Sequence, residues 1–203
     1  MNRIATERPP YRSSLREEQA TQTRERILDA LVRVMARGLA ELSMPAVARE
    51  AGVSVPTVYR HFGSKAALLG ALQPHFAARI GMDRMTIPGS LNELEDTLRT
   101  VFGRIDAMDG LAHAALMSPL GEQARRLQMP ARQQAIAAVV DAVAADLPPA
   151  TRARLARLLL VLTTTSSLRT LRAHLGLSTD EAAREVAWVV RAAIAGATSV
   201  DSR

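Results

Sequence analysis

Residues 44–62 read MPAVAREAGVSVPTVYRHF. Between Val55 and His61 the chain sets out Val55, Pro56, Thr57, Tyr59, Arg60 and His61. Together they offer a methyl, a hydroxyl, a phenol, a guanidinium and an imidazole. Such groups meet base edges, thymine methyls and phosphates in a major groove. Lys65 follows in what reads as the first turn of a helix, where the macrodipole disfavours a cation. A phosphate there would be met by Lys65 and by the free N–H groups of the helix start. Ser43 and Ser64, at two helix starts, can serve other phosphates in the same way.

Short helices must hold these groups out. Ser43 caps one that starts near Pro45 and ends at Ala51, and Gly52-Val53-Ser54 is a turn. Ser54 caps a second, with Pro56 in its first turn, ending near Phe62. Two short helices joined by a three-residue turn with Gly form a helix-turn-helix. Ala48 is small where the two cross, and Val47, Val53 and Val58 face inward. Phe62 reads as a core anchor. Before this pair, apolar residues from Ile27 to Met35 recur at helical spacing from Thr21 onward, and Gly38 is the stop. After it, Gly63-Ser64 breaks the chain and a helix runs from Lys65 toward Ile80. Residues 82–90 form a loop. Further helices are expected near 91–108, 111–117, 121–145, 151–175 and 180–197, about nine in all. No strand pattern persists.

Composition agrees with an all-α chain. The 203 residues are 48% hydrophobic but only 3% aromatic, and Ala, Leu and Arg are frequent. With no cysteine, disulfide scaffolds, Cys-based zinc sites and Cys nucleophiles are excluded. The formal net charge is +6, and Lys65 is the only basic residue besides arginines. That charge suggests an anionic partner. No apolar run nears the ~18 residues that span a bilayer, and MNRIATERPP lacks a signal-peptide core. A cytoplasmic protein without membrane contact is expected. There is no GxGxxG, GxxxxGK, GxSxG or HExxH, so no catalytic residue, cofactor or metal site is expected. His61, His75, His113 and His174 form no metal-ligand pattern.

From about Thr23 to Leu72 the chain resembles the DNA-binding domain of the TetR (tetracycline repressor) family. The most specific stretch is AGVSVPTVYRHFGSKAALL, with Gly52-Val-Ser, Thr57-Val-Tyr59, His61-Phe62 and Ser64-Lys65. The resemblance implies that Val55, Pro56, Thr57, Tyr59, Arg60 and His61 face DNA and that Lys65 clamps phosphate. Pro56 stands where many relatives carry Gly, and without an N–H it makes no backbone phosphate contact. The resemblance also implies a C-terminal bundle that binds a ligand and dimerises through its last two helices.

The expected organisation is a flexible arm at 1–20, a three-helix helix-turn-helix domain at 21–66 and a ligand-binding and dimerisation domain at 67–200. Arg8, Arg12 and Arg16 of the arm either enter a minor groove or stay solvated. The guest is expected among Phe76, Met82, Met85, Phe102, Ile105, Met108 and Met117, an apolar set rich in adaptable Met. His113, Thr164 and Trp188 are the polar handles. For Trp188 and the Thr163–Ser167 run, packing inside the bundle is the competing reading. No charge cluster lies at these positions, so the guest is expected to be small and hydrophobic. The resulting expectation is a homodimeric repressor, bound to a palindromic operator in double-stranded DNA and released by that effector. The alternative is an effector-independent structural DNA-binding protein whose bundle only dimerises.

Overall fold

Helix α1 spans Tyr11–Ala36 in the computed structural model, which describes residues 11–39 and 41–200 and side chains at 15–39 and 41–197. It starts ten residues before the apolar pattern does. Residues 15–26 are almost all exposed. Arg16, Glu17, Glu18, Gln19 and Ala20 are good helix formers, so propensity extends the helix without a buried face. Residues 1–10 of the expected arm, and the side chain of Arg12, lie outside the described residues. From Ile27 to Met35 the helix is buried on most sides, with Ile27, Leu31, Val34 and Met35 fully enclosed.

Four short helices follow: α2 (Met44–Ala51), α3 (Val55–Phe62), α4 (Lys65–Gly70) and α5 (Leu72–Arg79). The single helix expected over 65–80 is thus two. Pro74 has no N–H to give the Gly70 carbonyl, and its ring crowds that oxygen, so the helix restarts after Ala71. A 3₁₀ turn at Met82–Arg84 leads to α6 (Leu91–Asp106), α7 (Gly110–Met117) and α8 (Pro119–Val143), which contains Pro130. Then come α9 (Pro149–Leu162), α10 (Thr165–Arg169), a π-helical turn at Thr170–His174 and α11 (Thr179–Val200). There is no strand among the described residues.

The expected helix at 151–175 is broken at Thr163–Thr164. Thr163 Oγ1 donates to the Leu159 carbonyl at 2.8 Å. Thr164 Oγ1 instead accepts from the Ser167 N–H at 3.0 Å and so caps a new helix. Hydroxyls that bond locally to backbone compete with the helical ladder, and here they win. At α11, Ser178 Oγ accepts from the Glu181 N–H at 3.2 Å and Glu181 Oε2 accepts from the Ser178 N–H at 2.7 Å. This reciprocal capping box holds the Glu181 carboxyl below its usual range, through the Ser178 backbone first and its side chain second.

The chain divides into two compact units. The first holds the chain through His75 together with Leu111–Gln123. In it α1 packs on α2, α2 on α3 and α3 on α4. The second holds Phe76–Gly110 and Ala124 onward. Its core joins Leu94, Leu98, Phe102 and Ile105 of α6 to Leu155 and Leu159 of α9 and to Ala182, Ala183, Val186, Ala187 and Val190 of α11. Small residues on α11 let it lie close along α6. Arg191 Nη2 ties the pair by donating to Glu95 Oε2 at 2.7 Å. Trp188, named from sequence as a polar handle with packing inside the bundle as the competing reading, is 63% exposed. The inward stripe of α11 is already filled by Val186, Ala187 and Val190, so Trp188 falls on the opposite face. Leu168 of α10 lies inside. It is 3% exposed and belongs to this core.

Candidate nucleic-acid interface

Serine and glycine set the ends of the two helices that matter most. Ser43 Oγ accepts from the Ala46 N–H at 3.3 Å at the start of α2. Gly52 ends α2 at φ 64°, ψ 38°, a left-handed conformation that costs a β-carbon-bearing residue about 1–2 kcal/mol. Ser54 Oγ accepts from the Thr57 N–H at 3.2 Å and opens α3. Gly63, at φ 72°, closes it by giving its N–H to the Tyr59 carbonyl at 2.7 Å. Ser64 Oγ accepts from the Ala67 N–H at 3.1 Å and opens α4.

Between those stops α3 has two faces. Val58 and Phe62, four residues apart, are buried with Met44, Val47, Ala48 and Ala51 of α2. Pro56, Tyr59 and Arg60 are exposed, while Val55, Thr57 and His61 are half-buried. Of the six residues named from sequence, Pro56, Tyr59 and Arg60 are thus on the outward side, and Val55, Thr57 and His61 lie at its margins. Ser64 and Lys65 are exposed at the start of α4, and Ser43 is half-buried at the start of α2. Val53, expected to face inward, is half-buried.

Two side-chain contacts at α3 were not expected from sequence. Ser54 Oγ lies 2.8 Å from Thr57 Oγ1. One hydroxyl of the pair donates to the other, which keeps its own proton for an outside acceptor. Arg24 of α1 places its guanidinium carbon 4.4 Å from the centre of the Phe62 ring. The cation caps the one buried aromatic of α3 and adds positive charge beside His61. A serine at a helix start was the available signal for Ser54. Nothing local marked Arg24, because its partner is 38 residues away.

Charge around α3 is therefore positive. Partial burial first, then Arg60 and Arg24, hold the His61 imidazole below its usual range. Farther back, Glu50 of α2 accepts from Arg33 Nε at 2.7 Å and from Arg37 Nη2. Those two hydrogen bonds, from α1 and the turn that follows it, hold its carboxyl below the usual carboxylate range. The only acid that sequence places between Ser43 and Lys65 is thus turned to α1 and neutralised there.

Residues 27–72 match the sequence model of the family described as "Bacterial regulatory proteins, tetR family". This N-terminal domain is of the tetR family. Two solved structures share the fold of the longer chain. Native NalD of Pseudomonas aeruginosa, described as the secondary repressor of the MexAB-OprM multidrug efflux pump, is 19% identical, with 86% of this chain and 96% of that one covered and a TM-score of 0.60. A tetR-family transcriptional regulator from Streptomyces coelicolor is 22% identical, with coverages of 87% and 84% and a TM-score of 0.57. No curated protein matches the chain. Against this tetR-family frame, α2 and α3 are the helix-turn-helix pair and α3 is the helix that reads DNA in such proteins.

The residues named for a guest are distributed differently. Phe102 and Ile105 are buried in the second unit's core. Phe76 is buried, and Met82, Met85, Met108 and Thr164 are half-buried, in the same unit. His113 and Met117, both half-buried on α7, belong to the first unit. Trp188 is exposed on α11 and does not join the second unit's core. Among the described residues no cluster of three or more His, Asp or Glu is placed to hold a metal ion. Among them, too, no helix is long and apolar enough to cross a membrane.

Proposed function

We propose that the chain is a homodimeric, cytoplasmic transcriptional repressor that binds a palindromic operator and leaves it when a small hydrophobic effector binds. The observation that carries the reading is the division of α3, with Val58 and Phe62 anchored inward and Thr57, Tyr59, Arg60 and His61 turned out. Thr57 and Tyr59 read base edges; Arg60, Lys65, Ser43 and Ser64 position the domain on phosphates. Residues 21–66 do this work, and residues 67–200 bind the guest and pair two copies. A two-fold dimer presents two α3 helices to successive major grooves, and the operator mirrors that symmetry. The effector releases DNA only through different affinity for two arrangements of the heads. Tenfold weaker operator binding requires ~1.4 kcal/mol of such coupling.

The second unit supports the dimer with an outward face on α11 and another on α9. The first carries Trp188, Ala192 and Ala195, the second Leu158 and Val161, and all five are exposed. The test is a selection from fragmented genomic DNA at low salt, followed by footprinting. The expected product is a two-fold symmetric site with half-sites about 10 base pairs apart, centre to centre. Recovery of no DNA overturns the reading.

A further inference from the structure

A cation lies over the buried aromatic of α3. Arg24 of α1 places its guanidinium carbon 4.4 Å from the centre of the Phe62 ring. The attraction is between a charge and the ring's face, and the ring supplies no oxygen or nitrogen acceptor. The five N–H donors of the guanidinium fork are left without one. Arg24 is exposed and makes no hydrogen bond or ion pair among the described residues. Its own helix offers no acid one turn away, where Ala20, Thr21, Ile27 and Leu28 stand.

The surroundings add charge of the same sign. Partial burial first, then Arg60 and then Arg24, hold the His61 imidazole below its usual range, so both guanidinium groups act on that ring. Lys65 follows at the start of α4, exposed like Arg60, and neither makes an ion pair among the described residues. Glu50 of α2 is already held by Arg33 and Arg37. Arg24, Arg60 and Lys65 thus stand exposed on three helices of one unit, none of them paired with a carboxylate.

A role limited to covering Phe62 accounts for the stack alone. A methionine would cover the ring as well, without setting a full charge beside Arg60 and His61. Like charges held near one another cost free energy until an anion meets them. The ring also holds the fork in place before a partner arrives, so less side-chain freedom is lost on binding. The two free oxygens of a phosphodiester are the anion that such a fork fits.

We propose that Arg24 is a phosphate anchor, a contact from α1 to the DNA backbone beside the C-terminal end of α3. This rests on the DNA-binding reading above and adds to it a residue that lies outside the helix-turn-helix.

The test uses the full-length protein and a fluorescein-labelled duplex of arbitrary sequence, because a phosphate contact is blind to sequence. Anisotropy titrations run over a KCl series from about 0.05 to about 0.2 M. Arg24→Gln is expected to bind roughly five- to tenfold more weakly near 0.1 M KCl and to lower the salt slope by about one per bound protomer. Arg24→Met, which still covers the ring, is expected to lose the same binding while keeping the wild type's urea midpoint. Arg24→Lys, which keeps the charge and loses the fork, is expected to keep the slope, with an affinity between the two. Arg26→Gln removes another exposed cation about 200° around α1 and is expected to change neither slope nor affinity. Should Arg24→Gln fail to fold, Arg24→Met and Arg24→Lys decide. A wild-type slope and affinity in folded Arg24→Gln or Arg24→Met overturn the anchor and leave the DNA-binding reading standing. An equal loss in Arg26→Gln also overturns it, since net charge alone then explains the effect. If the wild-type protein binds no duplex even at about 0.05 M KCl, both readings fall.

Discussion

At the scale of single residues, Thr57 and Lys65 separate two kinds of contact. Thr57 shares a hydrogen bond with Ser54 at the start of α3, which under the proposed function would orient its hydroxyl for a base edge. Lys65 is an exposed cation at the start of α4. Thr57→Ala or Tyr59→Ala is expected to cost about 1–3 kcal/mol on the operator and little on random DNA. Lys65→Ala is expected to weaken both and to reduce the salt slope by about one. Anisotropy titrations over a salt series check this, and equal losses on both DNAs for Thr57→Ala would remove it from base readout. His61 gives a pH test. Its folded pKa is lowered, so the free protein holds it neutral near pH 7. Phosphates favour the charged form, so binding takes up a proton and affinity rises as pH falls from about 7.5 to about 5.5. In the free protein the sign reverses. A lowered imidazole pKa gives stability that is present above the unfolded value, near 6.5, and is lost as pH falls. His61→Asn is expected to flatten both dependences, and an operator affinity independent of pH in the wild type would place His61 away from DNA.

Among the helices, the first unit was the more legible in sequence, because caps there are local. Ser43, Ser54, Ser64, Gly52 and Gly63 each announce a boundary within four residues of the group they satisfy. The breaks in 65–80 and 151–175 were missed for a physical reason. Apolar periodicity continues through both, and a proline lacking one N–H or a threonine that caps rather than back-bonds decides the matter. The extension of α1 to Tyr11 was hidden for the opposite reason, since propensity without a buried face leaves no periodic trace. Trp188 was unreadable because its setting depends on which face of α11 meets the core. One turn makes a sharp demand. A β-carbon on Gly121 would lie 2.5 Å from the carbonyl oxygens of Ala115 and Leu116, both backbone atoms. Ser118 tightens the same turn, donating to the Ala115 carbonyl at 2.7 Å and accepting from the Gly121 N–H at 3.1 Å. Gly121→Ala is expected to destabilise by about 1–3 kcal/mol. Gly103→Ala, in the middle of α6 with open space around it, is expected to stabilise by about 0.5–1 kcal/mol. Urea unfolding of the two variants checks the contrast, and a neutral Gly121→Ala would mean that the α7–α8 turn opens easily.

For the whole molecule, the question is what covers the outward face of α11. Trp188 is 63% exposed in the isolated chain, a large apolar group for a surface. Trp188→Glu is expected to yield monomers by light scattering, with an unchanged helical spectrum and at least tenfold weaker binding to a two-half-site operator. Leu168→Arg, by contrast, puts a charge into the second unit's own core and is expected to unfold it. A wild-type chain that is monomeric at micromolar concentration would remove the dimer. The two glycine stops of α3 have a consequence of a different kind. Because Gly52 and Gly63 fix where the helix begins and ends, and Val58 and Phe62 are its buried anchors, the exposed positions 56, 59 and 60 carry little of its packing. Substitutions at 59 and 60 are expected to leave the fold that carries them intact. Under the proposed function, a change of operator would then need few substitutions, and the same scaffold could come to address different genes.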